Sequence, residues 1–213
     1  MIDAAWLLFV TTSLLVIATP GQDMILVMSR SVAQGPAAGV LTAAGISAGL
    51  VGHTALAALG LGAILRTSEL LFVALKLVGA AYLVWIGIGL LRTRAAELVL
   101  QGAAPRSRGR LFVDGAFSNL SNPKIAVFYF AFLPQFVPQG AANPTLSVFA
   151  LGLAFAALTF VVKAPVGLFA GLLSGWLCAR PRALLGLHRT SGAVLVGLGL
   201  KLALEPTARE AAR

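Results

Sequence analysis

The sequence predicts an all-α membrane protein in which six transmembrane helices form an inverted 3+3 repeat, with helices one and four proline-broken. Three observations predict it. The 213 residues are 59% hydrophobic and 11% charged, with a mean hydropathy of +0.93, whereas a soluble domain carries about 25% charged residues. Apolar runs recur at 4–30, 38–65, 69–91, 111–138, 146–176 and 183–204, and crossing about 30 Å of hydrocarbon takes about 20 such residues. Two runs are interrupted at matching places by polar stretches, Thr19-Pro20-Gly21-Gln22-Asp23 and Asn119-Leu120-Ser121-Asn122-Pro123-Lys124.

The first segment has no Lys or Arg ahead of it and no small-residue cleavage pattern, so it reads as a retained helix rather than a signal peptide. At 1.5 Å per residue it is about 40 Å long, and its central break divides it into two half-helices. A bilayer tolerates broken backbone only where protein or a water-filled cavity satisfies the freed groups, so such a break marks a substrate site. The second segment carries Gly45-x3-Gly49 and His53; the third carries Lys76-x2-Gly79, Tyr82 and Gly87-x-Gly89. The fourth is broken like the first and continues into the aromatic run Phe128-Tyr129-Phe130-x-Phe132, read as packing against helices and lipid, with a ligand-facing Tyr129 as the alternative. The fifth holds Lys163 ahead of Pro165 and then Gly167-x3-Gly171-x3-Gly175, a counterpart of the second. The sixth repeats the third as Arg189-x2-Gly192 and Gly197-x-Gly199. The predicted organisation is therefore a first three-helix repeat (1–92), a basic cytoplasmic loop (93–110) and a second three-helix repeat (111–213). An odd number of helices per half turns the second half over relative to the first.

Between the segments, Arg30, then Arg92, Arg94, Arg106, Arg108 and Arg110, then Arg180, Arg182 and Arg189 fall on one side, against Arg66, Lys201, Arg209 and Arg213 on the other. The positive-inside rule then puts both termini outside. Topology thereby accounts for the net charge of +9, and no aromatic-interleaved basic patch points to nucleic acid. The single cysteine, Cys178, excludes an internal disulfide, no cluster has metal-ligand spacing, and no nucleophile elbow, phosphate loop or paired-acid motif is present. Metal, cofactor and enzymatic chemistry therefore lack a footing. Small-xxx-small faces in segments two and five fit packing within one protomer or in a homodimer.

The chemistry concentrates at the two breaks. Proline favours the first position of a helix behind a capping Thr, Ser or Asn, so Thr19-Pro20 and Asn122-Pro123 each restart a helix. Free N–H groups and about half a positive charge at each start suit a carboxylate. Gly21 permits close approach to backbone. Asp23 fits a dipole-complementing role, and equally a substrate ammonium, a coupling proton or a lysine partner, since a lone carboxylate in lipid is costly. Lys124 opposes the dipole of the helix it starts, so it fits an ion pair with Asp23, or a ligand for a substrate carboxylate. Asn119 and Asn122 serve as substrate ligands or as caps. His53 reads as a packing residue or a proton relay, Lys163 as a titrating group or one that reaches to an interface, and Lys76 and Tyr82 as interfacial in preference to cavity-lining.

Thr19-Pro20-Gly21-x-Asp23, Lys76-x2-Gly79-Ala80-x-Tyr82-Leu83, Asn119-x2-Asn122-Pro123-Lys124 and Phe132-Leu133-Pro134-Gln135-Phe136 resemble, in order and over nearly the whole chain, the motifs of the LysE/RhtB family of bacterial amino-acid exporters. The resemblance implies a six-helix inner-membrane exporter of amino acids or related metabolites, driven by the proton gradient or membrane potential rather than ATP. Two positions depart from it: Gln22, where the family usually has a second proline, and Lys163.

The expected function is secondary-active export of a small zwitterion by alternating access. The substrate site comprises Thr19, Pro20, Gly21, Gln22 and Asp23 with Asn119, Asn122, Pro123 and Lys124. Asp23 meets the ammonium or coupling proton, Lys124 and the helix starts meet the carboxylate, and Asp23, His53 and Lys163 are the candidates for proton coupling. Other functions make different demands: a cation transporter predicts more intramembrane acids, a membrane enzyme predicts a catalytic cluster at one interface, and a structural protein leaves paired breaks unexplained.

Overall fold

A computed structural model describes residues 4–19, 21–67, 69–92, 104–137, 141–178 and 181–204. Within them the chain is helical, without a strand: α1 Ala4–Ala18, α2 Gln22–Gln34, α3 Pro36–Thr67, α4 Glu69–Arg92, α5 Arg108–Leu120, α6 Pro123–Val127, a π-helical turn Phe128–Phe132, a 3-10 turn Leu133–Phe136, α7 Pro144–Cys178 and α8 Pro181–Leu204. Among the described residues Pro36–Gly60 and Pro144–Ala170 are long and apolar enough to cross a membrane. Trp6–Ala18 with Gln22–Gln34, which meet at 55°, make a third span if counted together. Pro20 and 93–103 of the basic loop lie outside the described residues.

Close helix crossings are made by glycine. α3 and α7 run antiparallel, with Gly39 against Gly167 and Thr54 against Gly152; a Cβ on Gly39 would sit 2.8 Å from the Gly167 Cα. α4 and α8 cross in the same way, Gly87 against Gly192 and Ala80 against Gly199. On its other side α3 receives α5, where Gly45 lies against the Phe112 carbonyl and Gly115 against that of Thr42. Without a hydrophobic drive between helices in lipid, such small-residue contacts supply the packing.

The core forms where α1, α3 and α7 meet the π turn: Phe9, Phe128, Tyr129, Phe132 and Phe155 are each at most 3% exposed. The Phe128 and Phe155 rings stack 4.4 Å apart. Tyr129 is held by polar contacts, its hydroxyl donating to the Gly152 carbonyl at 3.0 Å and accepting from Thr54 Oγ1 at 3.2 Å. Tyr129→Phe removes this added hydrogen bond to the carbonyl, a loss of about 1 kcal/mol. It is expected to lower the melting temperature in detergent; an unchanged melting curve would contradict the role. By contrast Leu59, Leu70, Trp85 and Leu172 are at least 68% exposed, an outward apolar surface that lipid covers.

Arg30 corrects an expectation. Read from sequence as a loop residue, it lies within α2 and is 8% exposed. Its guanidinium donates to the Ala104 carbonyl at 2.7 Å and to Asp114 at 3.2 Å, so the helix continues one more turn. It ends at Gly35, whose φ of 90° is the left-handed region that glycine alone adopts readily. Asp114 also receives Arg110 at 2.9 Å and Arg106 at 3.8 Å. Lys76, expected at an interface, is 5% exposed between helices.

Candidate substrate site

The two interrupted stretches face each other, and they start their helices differently. At Asn122 the expected cap forms: its side-chain oxygen accepts from the Lys124 N–H at 3.1 Å, with Pro123 in the first turn. At Thr19 it does not. The Thr19 hydroxyl donates backward to the Leu15 carbonyl at 2.7 Å, which also accepts the Thr19 N–H at 3.0 Å. The N-cap of α2 is instead Gly21, with extended backbone and no side-chain bond, and the helix begins at Gln22. Asp23 thus sits in the first turn of a 13-residue helix, where its charge complements the dipole. α6 has five residues before the π turn takes over, so its dipole is short and Lys124 is the main positive group there.

Asp23 is 4% exposed. It accepts from Asn119 Nδ2 at 2.8 Å and from Ser118 Oγ at 3.5 Å. No ion pair at 4.0 Å or less joins it to Lys124; the ion pairs seen around Asp114 lie elsewhere. Lys124 Nζ reaches instead to the Thr19 carbonyl at 3.4 Å, and a Cβ on Gly21 would lie 3.3 Å from it. The missing side chain at Gly21 is what lets the ammonium rest on the α1–α2 junction. Lys163, 5% exposed, approaches from α7 two residues before Pro165. Proline removes one helical hydrogen bond there.

Thr19, Gly21, Asp23, Asn119, Asn122, Lys124 and Lys163 line one cavity, together with Thr159 and apolar groups such as Val16, Leu50 and Phe155. The space between them is about 10 Å³, at the lower bound for one water molecule. A molecule larger than water therefore fits only when the helices separate. Gln22 faces elsewhere: with Ser29, Arg30, Asp114, Phe117 and Ser118 it lines an open groove, and its amide contacts Ser118 Oγ at 3.3 Å. Pro123 is exposed at the start of α6. His53 lies behind the cavity wall, its Nε2 3.2 Å from the Asn119 carbonyl and its ring stacked on Tyr129. A carbonyl only accepts, so Nε2 carries the proton, and Nδ1 is buried without a partner.

Ser118 and Thr159 were not singled out from sequence. Ser118 touches both Gln22 and Asp23, linking groove to cavity. Thr159 lies one helical turn before Lys163, so the four-residue spacing on α7 carried the signal. The Arg110–Asp114 spacing was equally readable.

The family model described as LysE type translocator matches residues 14–206. The homoserine/homoserine lactone efflux protein of Salmonella typhimurium is 35% identical over 200 residues, covering 93% of this chain and 95% of that protein. An uncharacterized membrane protein of Pseudomonas aeruginosa is 34% identical over 88% of this chain and 89% of its own length. The leucine efflux protein of Klebsiella pneumoniae is 27% identical over 93% and 94%. No solved structure matches the chain.

Proposed function

The chain belongs to the LysE type translocator family, a family of transporters and not of enzymes, and on that premise we propose that it exports amino acids or related small metabolites from the cytoplasm by secondary-active transport. One observation carries the reading: a single buried cavity gathers a carboxylate, two amines, two amides and a helix start from four separate helices. An amino acid needs complementary groups of both signs, and Asp23 with Lys124 supplies them. Asp23 takes the ammonium or the coupling proton. Lys124 and the first turn of α2 take the carboxylate.

The proposed architecture is six spans in an inverted repeat, 1–92 and 111–213 joined by the basic 93–110 segment, with both termini outside a bacterial inner membrane. The antiparallel glycine pairing of α3 with α7 and of α4 with α8 supports it, because each helix meets its counterpart in the other half. The geometry around Gln22 supports alternating access. Gln22 and Ser118 stand between the open groove and the closed cavity, and the groove lies beside Arg30 and Asp114, on the basic side that the positive-inside rule makes cytoplasmic. Proton coupling would use Asp23, Lys163 or the His53–Asn119 contact. Homodimer formation through the small-residue faces is compatible with this scheme.

Counterflow in proteoliposomes, over a panel of amino acids with and without a pH gradient, tests the reading. Labelled substrate is expected to exchange and, under proton antiport, to accumulate in the acidic compartment. Absence of flux for every compound would overturn the export reading, and exchange indifferent to the gradient would overturn the proton coupling.

A further inference from the structure

The cavity holds more amines than carboxylates. Lys124 from α6 and Lys163 from α7 share it with Asp23, and neither forms an ion pair with that carboxylate at 4.0 Å or less. Asp114 is taken up by Arg30, Arg106 and Arg110 and does not line this space. Asp23 already accepts hydrogen bonds from Asn119 and Ser118. His53 faces the Asn119 carbonyl from behind the wall and brings no negative charge. Isolated charge buried in a membrane protein is costly unless paired, so an anionic partner stabilises the surplus amine in its charged form.

A zwitterion brings one charge of each sign and leaves the imbalance as it was. A substrate with one net negative charge removes it. Because the two amines enter from different helices, two acid groups on one molecule can each find a lysine while its ammonium faces Asp23. A single carboxylate between both amines serves equally, provided that the molecule has no ammonium to satisfy.

Resting on the exporter reading above, we propose that Lys163 is a substrate-binding residue that makes this site select small amino-acid derivatives carrying one net negative charge. Such a charge arises from a second acid group or from acylation of the amine. A lysine that merely braced α7 would leave the substrate ranking untouched when removed.

The experiment measures half-saturation for counterflow by the full chain in proteoliposomes, using homoserine and leucine, aspartate and glutamate, and N-acetylleucine. Wild-type protein is expected to half-saturate at least 10-fold lower for a net-anionic compound than for the neutral pair, and the aspartate and N-acetylleucine arms separate the two sources of charge. Lys163→Met, which keeps the length and removes the amine, is expected to abolish the preference, and Lys163→Arg to retain it. Should Lys163→Met fail to fold, the wild-type ranking and the Lys163→Arg protein decide. A wild-type preference for neutral amino acids, or the same ranking in a folded Lys163→Met protein, overturns the proposal and leaves the exporter reading standing. No flux for any compound overturns both.

Discussion

Asp23→Asn is expected to reduce amino-acid efflux by roughly 10- to 100-fold, and Lys124→Ala by a similar factor, in protein shown to be folded and inserted. The magnitude follows from the contacts. A hydrogen bond to a charged group contributes about 1.5–3 kcal/mol, and each 1.4 kcal/mol is about tenfold in an equilibrium or rate. Asp23→Asn nearly preserves shape, yet it removes the cavity's carboxylate and sets an amide against the Asn119 amide that now donates to it at 2.8 Å. Lys124→Ala removes the ammonium resting on the α1–α2 junction. Efflux at the wild-type rate from either variant, at matched membrane abundance, would sink the assignment of these residues to the site.

Gly45→Val is expected to destabilise the protein by at least about 2 kcal/mol, in the upper part of the range for forcing extra carbons into a packed interior. A Cβ at Gly45 collides with the Phe112 carbonyl oxygen, a backbone atom that no side-chain rotation can move aside. α3 would be pushed from α5, and with it Asn119, whose carbonyl meets His53 and whose amide holds Asp23. Loss of monodisperse protein in detergent, or a melting temperature lowered by several degrees, is the expected readout. Gly89→Ala is the control, since a Cβ there meets nothing within 4 Å. Equal melting of the two variants would contradict the close α3–α5 crossing.

Much of the site was legible because proline and charge are costly inside an apolar run. Asp23, Asn119, Asn122 and Lys124 stood out on that ground alone, and the structure brings them to one cavity. Of the glycines singled out, Gly45, Gly87, Gly167, Gly192 and Gly199 sit at close crossings, whereas Gly89 and Gly197 meet nothing within 4 Å. What sequence did not convey depends on distances between elements. Thr19 carries the residue type of a cap, yet its hydroxyl turns back to the Leu15 carbonyl that its own N–H also reaches. Arg30 resembles a loop cation until Asp114 and the Ala104 carbonyl are seen around it. Gln22 sits in the first motif by position, yet the start of α2 at that residue points it to the groove and Asp23 to the cavity. The five-residue α6 followed by a π turn has no local signal in an aromatic run. It changes the electrostatics of the second break, from helix dipole to lysine.

Substrate protection of a cysteine placed in the cavity tests the central claim most directly. Thr19 suits the substitution because its hydroxyl bonds only backward to Leu15, and Cys178, the chain's single cysteine, is replaced by serine. Labelling of Thr19→Cys by a small thiol reagent is measured in inserted protein with and without a saturating amino acid that the protein transports. Substrate lying between Asp23 and Lys124 predicts slowed labelling, and loss of that protection when Asp23→Asn is added. Labelling at the same rate with and without substrate, in protein whose counterflow is intact, would place the substrate elsewhere and contradict the account.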